Sequence, residues 1–319
     1  MKKDRLLYPD ICKFVAVFFV TWSHCAQRVS GMIWTNFLGG QQLDIAFIMP
    51  LFMLMSGWFI NLDKMRIIHI GTYISSKFKR LIVPSFVWYI VLLILSHSLP
   101  DLSIFSYYWY LNALFVCLCV IMICAKIIKS DLICCIVSTS LILLIPYSDF
   151  SHINFMIPFL WAGYGLRKIC STKYAPPLFS ICFLVGMCLC PFWNLNYSVY
   201  MSPFNSLNIN LDMVLIMIYR FIIGFTLSAV IIYSIMKAET TWISKFSQFG
   251  SYSLVIYTSS LACLGFVSRM FNYLQLHTNR YGLIDVLSLF LCLFIIAITI
   301  RFANFCRKRK ILRQLFLGE

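Results

Sequence analysis

What most constrains this chain is the recurrence, from one end to the other, of apolar runs long enough to cross a lipid bilayer. A hydrocarbon core about 30 Å thick takes roughly 20 helical residues. Runs of about that length occur at approximately residues 10–28, 43–60, 81–99, 108–126, 131–147, 152–168, 176–193, 211–236, 249–268 and 283–302. In lipid, backbone N–H and C=O groups must be satisfied internally, which leaves helices or closed barrels. A barrel would show short alternating strands, and none is visible here. The expectation is an all-α polytopic integral membrane protein with about ten transmembrane helices, forming one membrane domain over residues 1–319. Only 12% of the residues are charged, about half the share in a soluble domain, so no separate soluble domain is expected.

Lysine and arginine set the expected orientation. With the N-terminus in the cytoplasm, Lys2, Lys3, Arg5, Lys64, Arg66, Lys77, Lys79, Arg80, Lys126, Lys129, Arg167, Lys168, Lys173, Lys237, Lys245 and the basic tail from Arg301 to Arg313 all fall in cytoplasmic segments. The opposite side holds only Arg28, Arg269 and Arg280. The positive-inside rule then places both termini in the cytoplasm and asks for an even number of spans. The same distribution explains the net charge of +15 without nucleic acid, for which no basic soluble domain exists. The basic tail reads as a stop-transfer flank on anionic lipid. Fourteen cysteines lie mostly inside apolar runs, where cysteine behaves as a small hydrophobe. No Cys-x-x-Cys pair or zinc-like spacing occurs, so neither a metal site nor a disulfide framework is expected. The first run contains Lys13 and His24 and lacks a small-x-small cleavage pattern, so it reads as an uncleaved anchor.

Ionisable groups inside spans are costly and mark candidate functional sites. Lys13 and His24 share the first span, and eleven helical steps of 100° return to within about 20°, so they face one side. They lie roughly 16 Å apart along the axis. Lys13 is near enough to the cytoplasmic boundary to snorkel. His24 lies too deep for that, and it reads either as a base for a hydroxyl proton or as a histidine bonded to another helix. Pro50 implies a kink in the second span, where Ser56 and Gly57 allow close approach of a helix or ligand. Lys77, Lys79 and Arg80 form an inner loop before Pro84 and suit either topology or an anionic phosphate. Arg220, well inside its span, needs a partner, and Asp44 and Asp212 are the candidate carboxylates. The uncharged loop 193–210 reads as an interfacial loop or a polar-aromatic surface for a sugar.

Several segments together resemble the membrane-bound acyltransferase family 3. They are Asp10 with Lys13-x10-His24, FIMPLFMLMSGWF (47–59), Lys79-Arg80-Leu81 with Pro84, YWYLNALF (108–115), Arg220 with Gly224, and GSYSLVIY (250–257). The order and spacing hold over nearly the whole chain. The resemblance implies a bacterial inner-membrane O-acyltransferase that acetylates an extracytoplasmic glycan, such as lipopolysaccharide O-antigen. Cytoplasmic acetyl-CoA would be the donor substrate, with no permanently bound cofactor. Lys13, Lys77, Lys79 and Arg80 would hold the donor phosphates, and His24 would act as base or acyl carrier. Arg220 or Asn112 would stabilise the oxyanion, while Asp10, Ser56, Gly57, Trp109 and Asn112 would bind substrate or support the site. Two features depart from the family pattern: a lysine at 13 where arginine is usual, and Thr258-Ser259-Ser260 where a histidine or glutamine often follows GSYSLVIY. The hydrolase-like domain of longer members is also absent. Rival readings of the same residues are a transporter or flippase of a lipid-linked sugar, a membrane sensor or assembly subunit, and succinyl transfer to a periplasmic glucan.

Overall fold

A computed structural model describes residues 7–31, 43–96, 107–145, 152–207, 209–238, 241–278 and 280–319. The junction between the expected spans 131–147 and 152–168, and Lys2, Lys3 and Arg5, lie outside them. The described chain is helical and contains no strand. A helix occupies each of the ten apolar stretches, and among the described residues six helices are long and apolar enough to cross a membrane: Ile70–Leu95, Trp109–Ile127, Ala175–Phe192, Leu211–Lys237, Ser253–Leu274 and Gly282–Arg307. Many large apolar side chains on them stay exposed, among them Ile94, Leu184, Phe290 and Phe294, as helices facing lipid require. The first helix, α1 (Tyr8–Ser30), has the length but not the apolarity. Lys13, Ser23, His24, Gln27 and Arg28 interrupt it. Helix α2 (Asp44–Trp58) and the helix Asp131–Leu143 are shorter than the expected spans 43–60 and 131–147.

Helices α3 (Leu62–Ile67) and α4 (Ile70–Lys77) follow, and α4 passes through a π-helical turn, Phe78–Ile82, into α5 (Val83–Ser96). The segment read as an inner loop at Lys77–Arg80 is therefore helical. Pro84 explains the wide turn: it has no N–H to donate to the carbonyl of Arg80 four residues back, and its ring crowds that carbonyl. Widening the helix by one residue relieves the clash. The remaining helices are α6 (Trp109–Ile127), α7 (Asp131–Leu143), α8 (Ile153–Cys170), α9 (Ala175–Leu189), α10 (Leu211–Lys237), α11 (Thr241–Gly250), α12 (Ser253–Leu274) and α13 (Tyr281–Arg307).

The chain divides into two compact units. The first comprises 1–44, 79–108 and 239–319; the second comprises 45–78 and 109–238. In the first, α1 packs on α11, α12 and α13, and α5 packs on α12. The buried face of α1 is made of small residues, Cys12, Ala16, Val17, Cys25 and Ala26, which let neighbouring backbones approach closely. A Cβ on Gly250 would collide with the backbone of Asp10, so the end of α11 lies directly on the first turn of α1. Trp22 donates its indole N–H to Ser288 at 2.9 Å, and Ala26, Val29 and Ile284 form a small core nearby. Thr258, Ser259 and Ser260 are buried structural residues. Ser259 and Thr299 hydroxyls lie 2.9 Å apart, while Thr258 and Ser260 donate to carbonyls in their own helix.

The basic tail does not simply leave α13. It folds back on α5, α12 and α13. Trp88 donates to the carbonyl of Phe316 at 3.3 Å and packs edge-on with Phe302 and Phe316. Gly318, at φ +66°, presses on the carbonyl of Arg80 that Pro84 leaves without its helical partner.

In the second unit, α2 and α8 meet backbone to backbone. Gly57 lies on the carbonyl of Leu160, and Gly163 lies reciprocally on the carbonyl of Leu54. A side chain at either position would push the helices apart, as at other small-residue helix contacts in membranes. Gly224 of α10 faces Ala46 and Pro50, each 2.9 Å from where its Cβ would be. Pro50 therefore lies where two helices pack. One end of this unit is charged: Asp131 accepts from Arg66 at 2.8 Å, Tyr164 at 2.5 Å and Lys168 at 3.0 Å. Lys126 caps the carbonyl of Arg66 at 2.8 Å, and Arg167 caps that of Trp58 at 2.9 Å. Cations counted as topology signals thus also tie α2, α3, α6, α7 and α8 together.

Candidate active site

Asp10, Lys13, His24, Lys79 and Arg80 belong to the first unit; Ser56, Gly57, Lys77, Trp109, Asn112 and Arg220 belong to the second. In the first unit the structure joins Asp10 to Lys13 across one turn of α1, with the ammonium 3.5 Å from the carboxylate. The lysine side chain keeps 27% of its surface exposed and Asp10 11%. Asp10 also places an acid in the first turn, where the helix dipole favours it. Lys13 is consequently held in place by a carboxylate of its own helix.

His24 lies one turn from Gln27, and its Nδ1 is 3.2 Å from the amide oxygen of that residue. An amide oxygen can only accept, so with the amide in this orientation a neutral ring carries its proton on Nδ1 and leaves the lone pair on Nε2. Nε2 makes no hydrogen bond among the described residues. This is the tautomer a general base needs. The signal for Gln27 was legible, because three residues along a helix bring two side chains together. Beyond His24, Gly31 closes α1 at φ +71°, with the ring of His277 3.0 Å from where its Cβ would be. Thr278 donates its backbone N–H to the carbonyl of Val29 at 3.2 Å.

Lys79 and Arg80 are exposed on the π-helical turn, while Leu81 beside them is buried and anchors it. The turn presents two cations on a backbone fixed by Pro84 and Gly318. Lys77 is half-buried, with its ammonium 5.4 Å from the centre of the Tyr73 ring. It falls in the second unit, so the expected set Lys13, Lys77, Lys79 and Arg80 is divided between the units.

The second unit's candidates are bound into its framework. Arg220 is 3% exposed and donates from Nη2 to the carbonyl of Ser202 at 2.6 Å. Its guanidinium lies 5.3 Å from the centre of the Phe155 ring. The expected ion pair with Asp212 does not form. Eight residues of helix separate the two by about 12 Å along the axis and about 80° around it, and Asp212 is exposed. Asp44 is assigned to the first unit. Gly57 is a helix contact, with no room for a ligand against it. The hydroxyls of Ser56 and Tyr110 lie 3.3 Å apart. Asn112 is half-buried on α6. Trp109 is buried, with its ring 4.9 Å from that of His152 and perpendicular to it.

The loop after α9 is more ordered than its composition suggests. Short 3-10 turns occupy Cys190–Phe192 and Leu195–Tyr197. Asn194, Asn205 and Asn210 accept from nearby backbone N–H groups and so serve as turn and cap residues. His152 and Tyr200, which sequence reasoning did not single out, meet Trp109 here. Nothing in their periodicity marks them, because the contact joins three distant segments. Among the described residues, no group of three or more His, Cys, Asp or Glu is arranged to hold a metal ion.

A family model described as an acyltransferase domain matches residues 6–303 of this chain. Comparison with curated proteins and with solved structures found no match.

Proposed function

Since the chain belongs to acyltransferase family 3 and is a membrane acyltransferase, we propose that it transfers an acetyl group from cytoplasmic acetyl-CoA to a hydroxyl of an extracytoplasmic glycan, such as lipopolysaccharide O-antigen. The bacterial inner membrane is the corresponding location. The reading is supported above all by α1, which carries an ion-paired lysine and a histidine with its Nε2 lone pair free on one face. Helix geometry separates them by roughly 16 Å, a length suited to a donor whose phosphates and thioester lie at opposite ends of an extended arm.

In this mechanism Lys13, with Lys79 and Arg80, binds the donor phosphates. Lysine contributes a point charge where arginine would supply a planar fork. Nε2 of His24 takes the proton as the acceptor hydroxyl attacks the thioester carbonyl. The tetrahedral intermediate collapses with cleavage of the C–S bond, and the thiolate leaves with the proton from the imidazolium. Gln27 holds the ring and accepts from Nδ1 throughout.

The test is acetyl transfer from labelled acetyl-CoA to surface polysaccharide in membranes containing the protein. Its occurrence, with one acetyl gained per modified residue by mass spectrometry, supports the reading. Glycan movement without acetylation would favour a transporter instead, and succinyl transfer in place of acetyl transfer would replace the donor.

A further inference from the structure

Among the described residues the chain widens into a π-helical turn twice, at Phe78–Ile82 and at Arg313–Leu317. Such turns are rare and fall often at functional sites. Here the two meet. Gly318 ends the second turn at φ +66° and lies against the backbone of Arg80 in the first. A Cβ at 318 would collide with the carbonyl oxygen of Arg80 and lie 2.9 Å from its Cα. Only glycine meets both demands at this position, a left-handed backbone and so close an approach.

Separate contacts hold the tail there. Trp88 donates to the carbonyl of Phe316 at 3.3 Å. The rings of Trp88, Phe302 and Phe316 pack edge-on in every pairing, with centroids 5.5, 5.4 and 5.3 Å apart, and Leu317 is buried. Arg307, in the last turn of α13, donates twice to the carboxylate of Glu319, at 2.8 and 3.3 Å. Its guanidinium also lies 4.3 Å from the centre of the Tyr252 ring. Residues 79–88 and the tail all belong to the first unit.

The other side of the turn is fixed from within α5. Leu81 is buried, and its carbonyl accepts from the hydroxyl of Ser85 at 2.6 Å. Lys79 and Arg80 project from this backbone exposed, and no hydrogen bond or ion pair tethers their side chains among the described residues. The backbone alone therefore aims the two cations, and the tail bears directly on that backbone.

We propose that the tail, through Phe316 and Gly318, is a positioning element for the reaction: it fixes the backbone at Arg80 and so aims Lys79 and Arg80 at the donor phosphates. This role rests on the donor reading given above.

The test uses the full chain in membranes. Hydrogen exchange at residues 79–82 is read by mass spectrometry, beside the donor KM and kcat for transfer from acetyl-CoA. Gly318→Ala and Phe316→Ala should each speed that exchange at least tenfold and raise donor KM at least fivefold, with kcat within twofold of the parent. Phe316→Tyr, which keeps the ring, should stay near the parent in both. In a protein already carrying Lys79→Ala and Arg80→Ala, Gly318→Ala should still speed exchange but add nothing to donor KM, as expected of positions that act through one another. Unchanged exchange at 79–82, a fall in kcat in place of the rise in KM, or an equal rise in exchange across α12 and α13 would each overturn the positioning role. If Lys79→Ala with Arg80→Ala leaves donor KM at the parental value, the donor reading fails, while faster exchange in Gly318→Ala preserves the coupling of tail and turn. If that pair raises donor KM and Gly318→Ala does not, the donor reading stands and the positioning role falls.

Discussion

Lys13 and Arg220 are both cations set in long helices, and the two units resolve them differently. Lys13 pairs with a carboxylate one turn away and keeps a quarter of its surface open. Arg220 has no carboxylate partner in its own unit among the described residues; it is buried against a loop carbonyl and an aromatic face. An ion pair at the end of a helix holds a charge ready for a ligand. A buried guanidinium bound to backbone builds structure. The same contrast extends to the neighbouring candidates: those of the first unit are held by contacts behind them, while Gly57, Ser56 and Trp109 of the second are themselves the contacts. Substitutions in the second unit should therefore reduce stability, and those on α1 should reduce turnover.

The contrast breaks first, if at all, at Gly57. Gly57→Ala places a methyl group into the carbonyl of Leu160, and overpacking of this kind costs about 3 kcal/mol or more. A large drop in the unfolding midpoint is expected; a tolerated alanine would mean that the two helices are not in backbone contact. In the first unit, Gly250→Ala drives a methyl group into the carbonyl of Asp10 as closely as Gly57→Ala does into that of Leu160, and should destabilise by a similar amount, about 3 kcal/mol. Its distinguishing sign is a raised donor KM, measured at fixed acceptor. Arg220→Leu leaves the half-buried carbonyl of Ser202 without this donor, a loss of about 2 kcal/mol. Reversible unfolding in SDS should register it, and Arg220→Lys should recover only part, since lysine lacks the planar group that lies on Phe155. Asp10→Asn has the smallest effect on stability, below about 1 kcal/mol, while shifting donor KM through Lys13. An unfolding midpoint that falls as far as in Arg220→Leu would erase the difference between the two cations.

Much of the architecture was legible because lipid restricts it so strongly. Each of the ten apolar stretches contains a helix, and among the described residues six helices are long and apolar enough to cross a membrane, where a backbone has few other conformations. The pairing of Lys13 with Asp10 and of His24 with Gln27 is also readable, because i, i+3 spacing suffices. Contacts between distant segments left no comparable mark. The reciprocal glycines of α2 and α8 look like any other glycines in apolar runs. The carbonyl that holds Arg220 belongs to a serine whose side chain has no part in the bond, so a search for carboxylates could not find it. The π-helical turn at Lys79 and Arg80 follows from Pro84 in hindsight, although proline after a cluster of cations reads first as a loop boundary. The tail's basic composition concealed Phe316, which Trp88 holds through its carbonyl and its ring.

The account depends most on His24 as the base in an otherwise intact protein. The direct measurement is acetyl transfer by His24→Ala in membranes, with protein amount and unfolding midpoint matched to the parent. General base catalysis predicts a fall of about 10²–10⁴-fold at an unchanged midpoint. Full transfer by His24→Ala would contradict the account and leave His24 a helix residue bonded to Gln27.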